Sequence, residues 1–227
     1  MVRRRLDEGF GIFKFDGLGG GLGQSGGEED REDFEAMLRL IKDLRSKEPW
    51  ISLTIGTWPS PWWLLWADSI WRDGPDVGAE GLPEAAARDR WLTFRDQALR
   101  RAHVRGPLFP ITGFMQHGIV WSKTAETAEM WPSQKPLEDF CHEVLSFFLS
   151  GTGLQELYIQ LELMDPRLWK VLAIVSAFAR RESRLLSDAR PVAFGDIYGT
   201  AAYHQQRGLF WLRNPSKLGS KLAPRAA

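Results

Sequence analysis

The chain has a single cysteine, Cys141, among 227 residues. That excludes an internal disulfide and any cysteine-based metal cluster. Beside Phe140 in a helical pattern, Cys141 reads as a small core residue. Long hydrophobic runs are also missing. No apolar stretch approaches the roughly 20 residues that a transmembrane helix needs, so no membrane partner is expected. The basic start MVRRRLDEG is followed by no apolar segment and does not read as a signal peptide. Neither sign of charge dominates: 29 basic and 29 acidic residues cancel, leaving no overall field to favour nucleic acid. The glycine-rich run GLGGGLG lacks the GK[ST] and clean helix start of a phosphate-binding loop, and no metal or cofactor is expected.

What is present is 44% hydrophobic and large enough for a sizeable core. Tryptophan is the unusual residue. The chain has eleven, and five fall in TWPSPWWLLWADSIW, from Trp58 to Trp71. Indole faces make platforms for sugar rings, and they also make aromatic core clusters; the composition leaves both open. Pro59 and Pro61 make at least the first part of that segment a loop.

Short apolar runs alternate with longer amphipathic ones. GIFKF and the β-branched WISLTIGTW read as strands, and WLLWADSIW as a candidate strand ending in a polar cluster. GPLFPITGFMQHGIV, with two prolines, and GLQELYIQ complete the strand-like set. Between them, the segment from Glu28 to Pro49 places Phe34, Met37, Leu38, Ile41 and Leu44 on one helical face. EAAARDRWLTFRDQALRRAHVR, PLEDFCHEVLSFFLS and DPRLWKVLAIVSAFARRESRLL also read as helices, the last capped by Asp165 with Pro166 at its first position. This order predicts a parallel sheet with helices outside it. From about residue 190 short strands separated by glycine and polar turns predict antiparallel hairpins, which gives domains at 1–189 and 190–227.

The stretch GIFKFDG poses the functional question. Lys14 and Asp16 are two apart in a strand and project to the same side, and a charge placed there is costly unless it is paired or has a task. In a (β/α) barrel such groups gather at the C-terminal ends of strands. Asp16 ends the first strand and Thr57 and Trp58 the next. Asp68, Arg72, Asp73 and Asp76 follow WLLWA, His117 follows PITGFMQ, and Glu156 lies in the last strand. Two carboxylates on separate strand ends are the minimal equipment for glycoside hydrolysis. On the residues alone, Asp16 could equally cap the glycine loop or pair with Lys14, and His117 could be a neutral core histidine.

FKFDG resembles the nucleophile strand of the retaining α-galactosidase and α-N-acetylgalactosaminidase superfamily, where a K-x-D signature ends the fourth barrel strand. ISLTIGTWPSPWWLLWADSIWRDGPD is similar to its fifth and sixth strand region, PLFPITGFMQHG to its seventh, and FFLSGTGLQELYI to its eighth. The final hairpins resemble the start of its C-terminal β-sandwich. The resemblance spans residues 10 to 215. It implies a partial TIM barrel, about strands four to eight, and retaining hydrolysis of a terminal α-linked galactose-type sugar. In the family pattern Asp16 becomes the nucleophile and Lys14 a donor to a sugar hydroxyl. Asp68 becomes the first choice for the acid/base, with Asp73 and Asp76 as alternatives because the serine expected before Asp68 is absent. Trp58, Arg72 and His117 would line the sugar pocket, and the two catalytic carboxylates would stand about 5 Å apart.

The same resemblance leaves the first three strands unaccounted for. A half-barrel exposes two sheet edges, which implies either a fragment whose N-terminal barrel half is missing or a chain that completes itself as a homo-oligomer. The second function in view is a non-catalytic carbohydrate-binding relic of the fold.

Overall fold

The computed structural model describes residues 1–16, 31–54, 60–72, 74–123 and 135–215. The glycine-rich loop, Trp58 and Asp73 lie outside these residues. The architecture is mixed α/β. A short helix α1 (Val2–Asp7), not anticipated from the sequence, precedes strand β1 (Ile12–Phe15). Helix α2 (Arg31–Leu44), β2 (Trp50–Leu53), β3 (Ser69–Trp71), α3 (Ala87–Arg105) and β4 (Phe114–Met115) follow. The strands form a four-stranded parallel sheet in the order β1-β2-β3-β4. Next come β5 (Ile119–Trp121), α4 (Pro136–Phe148) and β6 (Leu157–Ile159), with β5 and β6 paired in parallel. A parallel bridge between Met115 and Leu154 carries the pairing from β4 toward β6.

Period-two alternation gives the sheet two unlike faces. Phe13 and Phe15, Ile51 and Leu53, Ile70, and Phe114 alternate with the polar positions. Most of them join Met37, Ile41, Leu99 and Ala102 of α2 and α3 in one apolar core. Each such fully buried side chain contributes roughly 1.5–3 kcal/mol. The other face carries Lys14, Ser52 and Ser69 in register. Ser69 Oγ donates to Ser52 Oγ at 2.9 Å, and Ser52 Oγ lies 3.6 Å from Met115 Sδ. Small hydroxyls therefore floor this face, and the larger polar groups rise from it.

The helices follow their sequence patterns. Met37, Ile41 and Leu44 are buried along α2, and Phe34 and Leu38 pack at the core margin. Helix α5 (Pro166–Arg181) is capped by Asp165, whose carboxylate accepts from the backbone N–H groups of Arg167 and Leu168. WLLWADSIW departs from expectation. Its first part is a 3₁₀ turn, Pro61–Leu65, capped by Ser60, and only Ser69–Trp71 is strand. Trp62, Trp63 and Trp66 pack on one another and on Phe34 as an aromatic cluster, with Trp63 fully buried.

After the short α6 (Ser183–Leu186), strands β7 (Arg190–Phe194), β8 (Ile197–His204) and β9 (Arg207–Arg213) form an antiparallel sheet. Its inner face reaches the rest of the chain. Ala202, Leu209 and Trp211 join the apolar clusters, and the buried Arg213 guanidinium donates to Asp96 at 2.8 Å and Thr93 at 2.9 Å on α3.

Candidate functional site

At the C-terminal ends of the parallel strands, the polar face opens into a cleft of about 270 Å³. The β1, β4 and β6 segments each supply two residues spaced two apart, and β2 and β3 supply one each. β1 gives Lys14 and Asp16, β2 leads up to Thr54, and β3 gives Trp71. The β4 segment gives Met115 and His117, and the β6 segment gives Glu156 and Tyr158. Asp76, on the loop after β3, closes the ring.

A chain of contacts runs across this ring. Tyr158 donates its hydroxyl proton to Glu156 Oε2 at 2.8 Å, and Lys14 Nζ donates to Glu156 Oε1 at 3.0 Å. Lys14 Nζ stands 3.7 Å from Asp16 Oδ2. Thr54 Oγ1 lies 2.6 Å from Asp16 Oδ1 and 3.1 Å from the Phe15 carbonyl oxygen, and its one proton serves either acceptor. The two carboxylates flanking the lysine differ in exposure. The side chain of Glu156 is 17% exposed and that of Asp16 is 68% exposed.

Glu156 is placed by backbone packing as well. Ile119 N–H donates to the Glu156 carbonyl oxygen at 3.0 Å. A Cβ on Gly118 would fall 2.2 Å from that same oxygen, so only glycine permits this approach. Behind it, the buried Glu143 of α4 accepts from Val120 N–H at 2.7 Å, and Arg88 and Arg95 of α3 lie 2.7 and 3.4 Å from its oxygens. This buried ionic cluster holds β5 at the back of the cleft.

His117 is buried with its ring stacked on Tyr158, centroids 5.0 Å apart and planes 10° from parallel, and edge-on to Trp91 at 5.6 Å. Burial, and then the positive charges of Arg95, Arg72 and Lys14, lower its pKa to about 4. The imidazole is therefore neutral at neutral pH. The Tyr158 phenol is held well above its usual range, first by burial and then by its hydrogen bond to Glu156. It stays protonated and fixed on that carboxylate.

Of the residues singled out in the sequence, Lys14, Asp16, Asp76, His117 and Glu156 meet at the cleft. Asp68 does not. It precedes β3 and lies level with Ile51, three residues below Thr54, or about 10 Å along the strands. There Asp68 Oδ2 accepts from Ile51 N–H at 2.7 Å and from Arg45 Nη1 at 3.0 Å. The expectation that it would follow a strand fails because the apolar residues before it form the 3₁₀ turn. Arg72 lies elsewhere too. Its guanidinium stacks over Trp71 at 4.4 Å and Phe94 at 5.4 Å, donates to the Pro75 carbonyl, and lines a separate cavity of about 380 Å³. Trp58 and Asp73 fall outside the described residues.

Thr54, Trp71 and Tyr158 belong to the cleft without having been singled out in the sequence. The available signal was the repeat of the Lys14-x-Asp16 spacing in Ser52-x-Thr54, Ser69-x-Trp71, Met115-x-His117 and Glu156-x-Tyr158. Among the described residues, no three His, Cys, Asp or Glu side chains converge as a metal site, and the Lys14 ammonium occupies the position between Asp16 and Glu156. No helix among the described residues is long and apolar enough to cross a membrane. Compared with protein-family models and with curated proteins, the chain matches none.

Proposed function

We propose that this cleft is the sugar-cleaving site of a retaining glycoside hydrolase of the α-galactosidase type, with Asp16 as nucleophile and Asp76 as acid/base. In this reading the parallel strands are the later part of a (β/α)₈ barrel, and β7–β9 begin a β-sandwich. The observation that carries the proposal is the meeting of Asp16, Asp76 and Glu156 with one lysine and one indole around a single cleft at the strand ends. Its volume, just below the roughly 300–1,000 Å³ of small-molecule pockets, suits one terminal sugar better than a chain of them. Trp71 offers an apolar face to the ring, and Lys14 and the neutral His117 offer N–H donors to its hydroxyls.

The chemistry is double displacement. Asp16 Oδ2, the oxygen that Thr54 does not engage, attacks the anomeric carbon as the bond to the leaving oxygen breaks, and Asp76 passes a proton to that oxygen. Water then gives a proton to Asp76 and attacks the same carbon, releasing Asp16 and restoring the starting configuration.

The test is hydrolysis of aryl α-galactosides of differing leaving-group acidity. Asp76→Ala should lose activity on phenyl α-galactoside, keep far more on the 2,4-dinitrophenyl substrate, and recover with added azide as the α-galactosyl azide forms. Equal losses on both substrates, with no azide product, would remove Asp76 from the role. No turnover by the folded wild-type chain would overturn the hydrolase reading.

A further inference from the structure

We propose that Glu156 is a positioning residue of this site, one that holds the Lys14 ammonium off Asp16 and so keeps the nucleophile's free oxygen open to the sugar. The inference rests on the glycosidase reading above and adds to it a role for a third carboxylate. Lys14 and Asp16 sit two apart on one strand, and the lysine side chain is long enough to reach either neighbour. Left to those two groups, an ammonium and a carboxylate this close would form a direct charge-assisted hydrogen bond. Instead, Lys14 Nζ is 3.0 Å from Glu156 Oε1 and 3.7 Å from Asp16 Oδ2. The second distance leaves an attraction without a hydrogen bond.

Glu156 is suited to win that competition. Its other oxygen is fixed by the Tyr158 hydroxyl at 2.8 Å. Its backbone is pinned by Ile119 N–H and by the close approach of Gly118. Its side chain is largely sheltered, whereas Asp16 is open to the cleft. The sheltered carboxylate is the anchor and the open one is free to react. Held this way, Lys14 keeps an N–H for a substrate hydroxyl. Without Glu156 it would settle on Asp16 Oδ2, the oxygen that must form the bond. Such pre-organisation is worth much to a reaction in which a displacement of about 1 Å can cost on the order of a hundredfold in rate.

The test compares wild type, Glu156→Gln and Glu156→Asp in two measurements. The first is inactivation by 5-fluoro-α-galactosyl fluoride, separating the rate constant of the covalent step from the reagent's binding constant. Glu156→Gln should slow the covalent step by roughly ten- to a hundredfold, with binding changed by less than about twofold. Glu156→Asp should restore part of the rate. An unchanged rate constant, or a loss confined to binding, would overturn the positioning role. Should Glu156→Gln fail to fold, Glu156→Asp is compared directly with wild type, and a rate constant equal to wild type's would count against the proposal. The second measurement is the crystal structure of each variant that folds. Lys14 Nζ closing to hydrogen-bond distance of Asp16 in Glu156→Gln supports the proposal, and an unmoved Lys14 overturns it. This arm needs no turnover. Wild-type protein that is never labelled would therefore sink the hydrolase reading, while the position of Lys14 still decides the role of Glu156.

Discussion

The two ends of the parallel strands put the same residue type to opposite uses. At the C-terminal end Asp16 is open, touched by a threonine hydroxyl and approached by a lysine that is anchored elsewhere. At the N-terminal end Asp68 is locked by the Ile51 amide and the Arg45 guanidinium. Both are aspartates beside a short strand in a Trp- or Phe-rich segment. What separates them is which end of the strand they occupy and how many donors their oxygens already serve. A carboxylate tied to a backbone amide and a guanidinium is part of the frame; one bonded to a single hydroxyl and open to a cleft is free to meet a ligand.

The contrast can be broken most directly by neutralising one aspartate at a time. Asp16→Asn should lower turnover of an aryl α-galactoside by on the order of 10⁴-fold, as loss of a catalytic group does, with little change in melting temperature. Comparable activity in that variant would erase the distinction.

The cleft end should also respond to mild acid through His117. Its pKa is lowered to about 4 from 6.5, so the unfolded chain takes up the proton first. The stability this group contributes is complete above pH 6.5 and falls as pH drops from there toward 4, with a slope of up to about 1.4 kcal/mol per pH unit. Denaturant titrations across that window should show the slope, and His117→Phe, which keeps a ring against Tyr158, should flatten it. An equal slope in the variant would remove His117 as its source.

At the other end, Asp68→Ala should cost about 1 to 2 kcal/mol of stability, because the Ile51 amide loses its side-chain acceptor. Turnover per folded molecule should be unchanged. Lost activity without lost stability would move Asp68 back toward the chemistry. The smallest effect is expected from Tyr158→Phe, which frees one oxygen of Glu156 but keeps its charge. A fall of several-fold in turnover, from loss of about 1 kcal/mol of hydrogen bonding, is the expected outcome. A loss as deep as that of Asp16→Asn would make Tyr158 a direct participant.

Much of this contrast was legible in the sequence at the level of single elements. The Lys14-x-Asp16 pair announced a polar face at the end of β1, and the 3.6-residue pattern gave α2 with its buried Met37, Ile41 and Leu44. The Asp165 cap fixed the start of α5. Asp68 was misplaced because WLLWA is as apolar as a strand. Yet Pro61 and the Ser60 cap favour a 3₁₀ turn, and the strand begins only at Ser69. Composition does not distinguish an apolar turn packed on the core from an apolar strand. The Lys14–Glu156 contact was out of reach for a different reason. Its partners are 142 residues apart, and only the lateral order of the strands brings them together.

In the proposed mechanism the reacting carboxylate is Asp16, and trypsin can isolate it. Cleavage after Lys14, Lys47, Arg72 and at the next arginines places Asp16, Asp68 and Asp76 in three different peptides, 15–31, 48–72 and 73–88. Peptide mapping after treatment with 5-fluoro-α-galactosyl fluoride should find the sugar on peptide 15–31, at Asp16. A sugar on peptide 48–72, or none on folded protein that hydrolyses the aryl galactoside, would contradict the account.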